Sequence, residues 1–199
     1  MRFLPADQPI ATCSAASCED CPLQSKVHCH FAQHDLTSFL LSVAPSFLLA
    51  GLGIILFNPW WLIPWIAFIL AFFGVIEIRV LCAHCPHYAE PGKSLQCWAN
   101  YGSPRLWKFR PGPMVLWEKV VLIGGFVIIW GAPMLIMALS GQWLLLGLTA
   151  IATAGFFYRL LTRNCNQCFN FACPLNRVDA ATRRAFLERN PTIKQAFEE

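Results

Sequence analysis

Four apolar stretches constrain the fold of this chain more than any other feature of its sequence. They cover residues 36–57, 60–81, 115–139 and 142–161. A hydrocarbon core of about 30 Å is crossed by about 20 helical residues, so each stretch is long enough for a transmembrane helix. Charged residues make up only 13% of the chain, and the stretches lack the polar stripe that a soluble bundle exposes to water. The sequence therefore predicts four membrane-spanning helices.

The connections between these stretches predict how the helices are arranged. Two-residue connections at 58–59 and 140–141 join the first pair and the second pair, and neither carries a charge. All fifteen Lys and Arg lie elsewhere: two before the first stretch, six around the connection between the pairs, and seven at or after the end of the fourth stretch. The positive-inside rule makes these three basic segments cytoplasmic. We expect an all-α integral membrane protein built from two short helical hairpins. It would be a multi-pass protein of the cell membrane with both termini in the cytoplasm.

The same reasoning divides the chain into five segments. They are a Cys- and His-rich N-terminal segment (1–35), a first transmembrane hairpin (36–81), a Cys- and aromatic-rich loop (82–116), a second transmembrane hairpin (117–161) and a Cys-rich tail (162–199). Three of them together form a cysteine-rich cytoplasmic cap. The N-terminus has a single basic residue, Arg2, with no apolar segment behind it, so we expect no cleavable signal peptide. In the tail we predict a short helix that begins at Asp179 as N-cap and ends before Pro191.

All ten cysteines and all five histidines lie in the predicted cytoplasmic cap. Because the cytosol is reducing, we expect no standing disulfides. Each cap segment contains one C-x-x-C pair, a spacing that lets two thiolates face one metal ion. The sequence therefore predicts that all ten are metal ligands, in three groups: Cys13, Cys18, Cys21 and Cys29; Cys82, Cys85 and Cys97; Cys165, Cys168 and Cys173.

Short hairpins would return the three groups to one face of the bundle, so we expect at least one metal site with ligands from two segments. Cys29 and Cys97 lie farthest from a C-x-x-C pair and are the weakest members of the pattern.

The pattern leaves the metal open. Iron–sulfur clusters take chiefly thiolates, whereas zinc also takes histidine, so the expected cofactor is an iron–sulfur cluster or zinc. Thiol redox chemistry or metal transfer is a third possibility. Whether the histidines are ligands is also left open by the sequence: His28, His30, His34, His84 and His87.

Two short motifs point toward iron–sulfur proteins. The C-x4-C-x2-C stretch at 13–21, CSAASCEDC, resembles the cluster-binding loop of plant-type ferredoxins. The resemblance covers nine residues and implies that small side chains let backbone amides reach the cluster sulfurs. Pro follows Cys at 21–22, 85–86 and 173–174, as it does at the end of the ligand run of bacterial ferredoxins.

The central loop interleaves aromatic and basic side chains. This mixture is typical of a membrane interface, where rings lie at headgroup depth and cations meet anionic lipid. The alternative is a pocket at the membrane surface for a lipid-soluble cofactor such as a quinone. Its candidate residues are Trp98, Tyr101, Arg105, Trp107 and Arg110. No nucleic-acid partner is expected for a chain held at a bilayer.

Several functions are disfavoured by what the sequence lacks. No histidine lies in an apolar stretch, which argues against a haem held by two transmembrane histidines. The stretches carry no charge away from their ends, whereas ion pathways need such groups at depth. No P-loop, G-x-G-x-x-G, H-E-x-x-H or G-x-S-x-G motif is present, and no residue is assigned a catalytic role.

The sequence predicts a membrane-embedded metal-binding protein that passes electrons through cytoplasmic Cys-ligated iron–sulfur clusters to a membrane partner or quinone. Its expected partners are the lipid bilayer and a cytoplasmic redox protein. The alternatives are a zinc-stabilised membrane scaffold that binds a partner protein, and a thiol- or metal-dependent membrane enzyme.

Overall fold

The computed structural model describes residues 7–199, and its framework is a set of long apolar helices. Four helices are long and apolar enough to cross a membrane: α1 (Gln33–Phe57), α2 (Pro59–His84), α3 (Leu116–Leu139) and α4 (Trp143–Asn164). Two short helices end the chain: α5 (Ala180–Arg189) and α6 (Pro191–Glu198).

The predicted all-helical class is confirmed for the described residues. They contain no β-strand, and only an isolated bridge joins Ser94 and Pro104. Each predicted end of the four long helices lies within three residues of the observed end. The expectation of no signal peptide rests on Arg2 and its neighbours, which lie outside the described residues.

The outer faces of the long helices are apolar. Leu48, Leu139 and Leu144 each expose 73–80% of their surface. A contiguous apolar surface of this kind is unfavourable in water and suits a hydrocarbon environment, so the four helices are consistent with a membrane protein. The cell membrane as location and the cytoplasmic position of the termini stay predictions.

Inside the bundle, small residues let the helices approach closely. α1 packs against both α3 and α4, and the last turns of α2 pack against α3. A Cβ atom added to Gly125 of α3 would lie 1.8 Å from the ring of Phe72 in α2, and one added to Gly53 of α1 would lie 2.4 Å from Met137. These contacts are the close approaches that small residues provide between apolar helices.

Two of the long helices widen just before the cysteines. α2 contains a π-helical turn at Phe72–Ile76, and α4 ends in another at Leu160–Asn164. Turns of this type are frequent at functional sites. Here the first Cys of the central loop and the first Cys of the tail come after these turns.

The tail helices agree with their sequence signals. Asp179 Oδ1 accepts hydrogen bonds from the backbone N–H groups of Ala181 (3.0 Å) and Thr182 (2.9 Å), which makes it the predicted N-cap. α5 ends at Arg189 and α6 begins at Pro191, so the predicted break is also confirmed.

A buried carboxylate joins α2, the central loop and α3. Glu118 is fully buried, and its side chain accepts hydrogen bonds from Arg110 Nη2 and from the backbone N–H of Val115 (3.1 Å). His84 Nε2 lies 3.1 Å from Glu118, and Arg79 Nη1 lies 3.5 Å from it. A buried charge is tolerated only when it is paired in this way.

We expect Glu118→Ala to lower the free energy of unfolding by about 3 kcal/mol, because it leaves two guanidinium groups without their buried partner. Denaturant titration of the purified protein in detergent measures this change. Glu198→Ala is the matched control, because Glu198 forms an exposed i,i+4 pair with Lys194 (3.8 Å), and its loss should change stability by less than about 0.5 kcal/mol. Equal stability of the two variants would show that the Glu118 pairs do not hold the fold.

Candidate metal centre

The cysteines gather into two groups, whereas the sequence divides them into three. The N-terminal thiol group consists of Cys13, Cys18, Cys21 and Cys29; burial raises the pKa of the Cys29 thiol, and the nearby Cys21, Cys18 and Cys13 raise it further. The inner thiol group combines the cysteines of the central loop with those of the tail, and all of its members line one cavity: Cys82, Cys85, Cys97, Cys165, Cys168 and Cys173. The two cysteines that are weakest in the sequence pattern, Cys29 and Cys97, each belong to a group.

The N-terminal thiol group is built by tight turns in the segment before α1. Asp20, between Cys18 and Cys21, has a φ of 57°, a left-handed conformation that Asp adopts more readily than most residues. The N–H of Cys21 donates to the carbonyl of Cys18 (3.2 Å), which closes the C-x-x-C turn. Arg189 of α5 donates to the Cys21 sulfur (3.8 Å), so a cation from the tail faces this group.

The inner thiol group draws on two segments distant in sequence. Burial raises the pKa of the Cys168 thiol well above its usual value, and the nearby Cys85, Cys173 and Cys97 raise it further. Burial and the neighbouring Cys97 likewise raise the pKa of Cys85. Thiols of the loop and the tail are therefore close enough to repel one another as thiolates. Sharing of one metal between the two segments stays a prediction.

Backbone amides are directed at four sulfurs of the inner group. In each case the donor lies two or three residues after the cysteine: His87 to Cys85, Ala99 and Asn100 to Cys97, Asn170 to Cys168, and Leu175 and Asn176 to Cys173. The side chain of Asn100 also donates to the Cys82 sulfur (3.3 Å). Such donors stabilise thiolates and surround the sulfurs of metal–thiolate sites.

Three thiols of the two groups, Cys29, Cys165 and Cys173, need a nearby positive charge before they ionise near pH 7. Burial raises the pKa of Cys29 to about 12, that of Cys165 to about 12 and that of Cys173 to about 11, so these groups are neutral thiols near pH 7. A bound metal cation reverses this preference, because a coordinating thiol loses its proton to the solvent. Metal binding here would therefore release protons.

Two histidines have both ring nitrogens engaged by other groups. His28 Nδ1 lies 2.7 Å from Asp35, and its Nε2 contacts the side chain of Gln167. His84 Nδ1 lies 3.1 Å from the carbonyl of Gly112, and its Nε2 contacts Glu118. These two rings hold segments of the cap together and are not directed at a thiol group.

The other three histidines also have structural contacts. His30 Nε2 lies 2.8 Å from the carbonyl of Gln8, and His34 Nδ1 lies 3.1 Å from Asp35. The ring of His87 packs against Phe169 with centroids 4.6 Å apart, and burial lowers its pKa to about 3. Thiols, rather than imidazoles, are the donor type that both groups share.

Within residues 7–199, no set of three or more Cys, His, Asp or Glu side chains is already arranged to hold a metal ion. Ligation of a metal by these thiols therefore requires a rearrangement of the Cys side chains. The donor set itself suits a thiolate-bound metal, because each group holds at least four cysteines and the inner group already has its amide donors in position.

Of the five residues predicted to form a cofactor pocket, Trp98 is the one that lines the cavity of the inner group within the described residues. Trp98 is buried, lines the cavity of the inner group and meets the ring of Phe39 edge-on with centroids 5.3 Å apart. Tyr101 stacks on Phe31 with centroids 4.5 Å apart. Neither Tyr101 nor the other three predicted residues line this cavity.

Those three residues make contacts that hold the central loop. Arg105 donates to the carbonyl of His87 (3.2 Å), Arg110 pairs with Glu118, and the indole N–H of Trp107 donates to the carbonyl of Val75 (3.4 Å). The residue that the sequence reasoning missed is Glu77, which lines the cavity. Its position in the sequence could have identified it, because a carboxyl group inside an apolar stretch is rare unless it has a function.

Comparison with known proteins gives no relative: the chain matches no protein-family model, no curated protein and no solved structure.

We expect Cys29→Ser to lower the metal-to-protein ratio of the purified protein by roughly half, because the N-terminal thiol group then keeps only three cysteines, and Cys97→Ser to lower it less, because five cysteines remain in the inner group. Elemental analysis of protein purified without oxygen measures the ratio. Ser94→Ala, in the same loop as Cys97, is the control and should leave the ratio unchanged. Wild-type metal content in both Cys variants would remove Cys29 and Cys97 from the ligand set.

Proposed function

We propose that this chain is a membrane-embedded electron-transfer protein that binds iron–sulfur clusters through its cysteines and passes electrons to a membrane partner or quinone. The observation that carries the proposal is the inner thiol group, in which cysteines of two segments line a cavity that continues among the four apolar helices. A redox centre at this position would have a polar cap on one side and the apolar bundle on the other.

The relation between the two thiol groups supports a path for electrons. Cys85 of the inner group is part of an apolar cluster with Phe169 and Phe186, and three members of the N-terminal group, Cys13, Cys21 and Cys29, pack against the same cluster. The groups are therefore separated by few side chains. We propose that a cytoplasmic redox protein reduces a centre at the N-terminal group, and that the inner group passes the electron on toward the bundle.

The histidine contacts favour iron–sulfur over zinc sites of mixed ligands. A site with three cysteines and one histidine would need a ring nitrogen directed at the thiols, but His28 and His84 have both ring nitrogens engaged elsewhere. The amide donors around the inner sulfurs also suit a cluster, whose reduction potential rises with hydrogen bonds to sulfur.

One observation favours the zinc-stabilised scaffold as second candidate. A cavity of about 290 Å³ beside the N-terminal group is lined by Cys18, Cys21 and Cys29 together with His30. A metal there would clamp a segment that is too short to form a core of its own. In this case the cap would bind a partner protein and carry no electrons.

We expect protein purified without oxygen to show broad visible absorption that decreases on reduction with dithionite, together with iron and acid-labile sulfide. This combination is the expected signature of iron–sulfur clusters bound to the two thiol groups. A colourless protein with stoichiometric zinc would contradict the redox proposal and support the scaffold.

Membrane orientation is tested separately. We expect a membrane-impermeant maleimide to label the demetallated protein only from the cytoplasmic side, because all ten cysteines lie in the predicted cap. Ser140→Cys adds an exposed thiol at the connection between α3 and α4, and it should add labelling from the opposite side. Labelling of the native cysteines from outside would overturn the proposed orientation.

A further inference from the structure

A cavity of about 320 Å³ extends from the inner thiol group into the space between the four long helices. The lining residues of α1 run from Phe39 to Phe47, a distance of about 12 Å along the helix axis at 1.5 Å per residue. Phe126 and Trp130 of α3 line its far end. Its volume is within the range of small-molecule sites, and its aromatic part lies beyond the cysteines.

A buried carboxyl group, of which one oxygen lacks a hydrogen-bond partner among residues 7–199, lines this cavity. Glu77 of α2 lines the cavity and exposes 6% of its surface. The Asn100 side chain forms a hydrogen bond with its carboxyl group, but Glu77 Oε2 is buried and has no hydrogen-bond partner within the described part of the chain. A buried oxygen in this state is unfavourable and requires a partner, which a molecule in the cavity would supply.

The surroundings of Glu77 define the chemistry of that molecule. Apart from Glu77, the part of the cavity that lies among the helices is lined by aliphatic and aromatic side chains, including Phe47, Phe73 and Trp130. Such walls favour a planar, uncharged, lipid-soluble ligand. Leu40, which also lines the cavity, exposes 51% of its surface, so the cavity reaches the outer apolar face of the helices.

We propose that this cavity binds the head group of a quinone or quinol, with Glu77 Oε2 as its hydrogen-bond partner. A carboxylate accepts from the hydroxyl of a quinol, and a protonated carboxyl group donates to the carbonyl of a quinone. The aromatic rings at the far end contact the ring face, and the isoprenoid-like tail leaves beside Leu40. The inference rests on the proposed function, in which a quinone is one of the two possible electron acceptors.

The test is binding of a decyl-substituted benzoquinone, and of its quinol, to the full-length protein in detergent by isothermal titration calorimetry. We expect Glu77→Leu to weaken binding about tenfold through loss of one hydrogen bond to a charged group, and Glu77→Gln to restore part of the loss. Val43→Trp, which places a larger side chain in the cavity, should abolish binding. Leu48→Trp is the matched control on the exposed face of α1 and should bind as the wild type does.

Metal and sulfide content is measured on every sample, so that the two proposals are judged separately. Metal-loaded wild-type protein that binds neither form of the ligand overturns this inference and leaves the proposed electron transfer standing. If wild-type protein purified without oxygen binds the ligand but contains no iron, its metal content overturns the iron–sulfur proposal and its binding leaves the cavity as a ligand site. Equal affinities of the wild type, Glu77→Leu and Glu77→Gln overturn the role of Glu77. If Val43→Trp does not fold, the comparison of Glu77→Leu and Glu77→Gln with Leu48→Trp decides the outcome.

Discussion

The inner thiol group depends on the docking of the tail onto the last turn of α2. Asn170, which is 5% exposed, donates from its side chain to the carbonyl of Leu81 (3.2 Å). This contact joins the segment between Cys168 and Cys173 to the residue just before Cys82. A buried amide has few alternative partners once water is excluded, so the position of the tail is well specified. The three tail cysteines reach the loop cysteines because of this docking.

The buried Glu118 links the same region to the helices. His84 lies between Cys82 and Cys85, and its ring contacts both Glu118 and the carbonyl of Gly112. The start of α3, the end of α2 and the central loop are thereby held by one carboxylate at the point where the apolar helices give way to the polar cap. A shift of α3 would therefore move the C-x-x-C turn of the loop.

The N-terminal thiol group is held by the opposite end of the tail. Thr12 donates from its hydroxyl to the side chain of Asn190 (2.8 Å), and the N–H of Ser14 donates to the carbonyl of Arg189 (2.8 Å). Phe186 of α5 is 1% exposed and belongs to the apolar cluster that Cys13, Cys21 and Cys29 of this group contact. The tail thus supports both thiol groups, which gives the two short helices a structural role that their modest length does not indicate.

The sequence by itself determined the parts that depend on local chemistry. The length and apolarity of four stretches were enough to give the long helices almost to the residue, since a helix satisfies its own backbone hydrogen bonds wherever the side chains tolerate it. Asp179 and Pro191 set the ends of the tail helix by capping and by the missing N–H of proline. The presence of one C-x-x-C pair in each of the three polar segments predicted that the cap contains the functional site.

Only the tertiary structure decided how the cysteines are grouped and which side chains face the cavity. Cys97 and Cys168 line one cavity although about 70 residues of chain separate them, and no local sequence pattern predicts that they meet. Arg105, Trp107 and Arg110 have the composition of a cofactor pocket, but cations and indoles serve equally well to pair with carboxylates and carbonyls inside a loop. Glu77 is the opposite case: its sequence position showed only a carboxyl group near the end of an apolar stretch. The tertiary structure shows that this carboxyl group lines a cavity between the four helices.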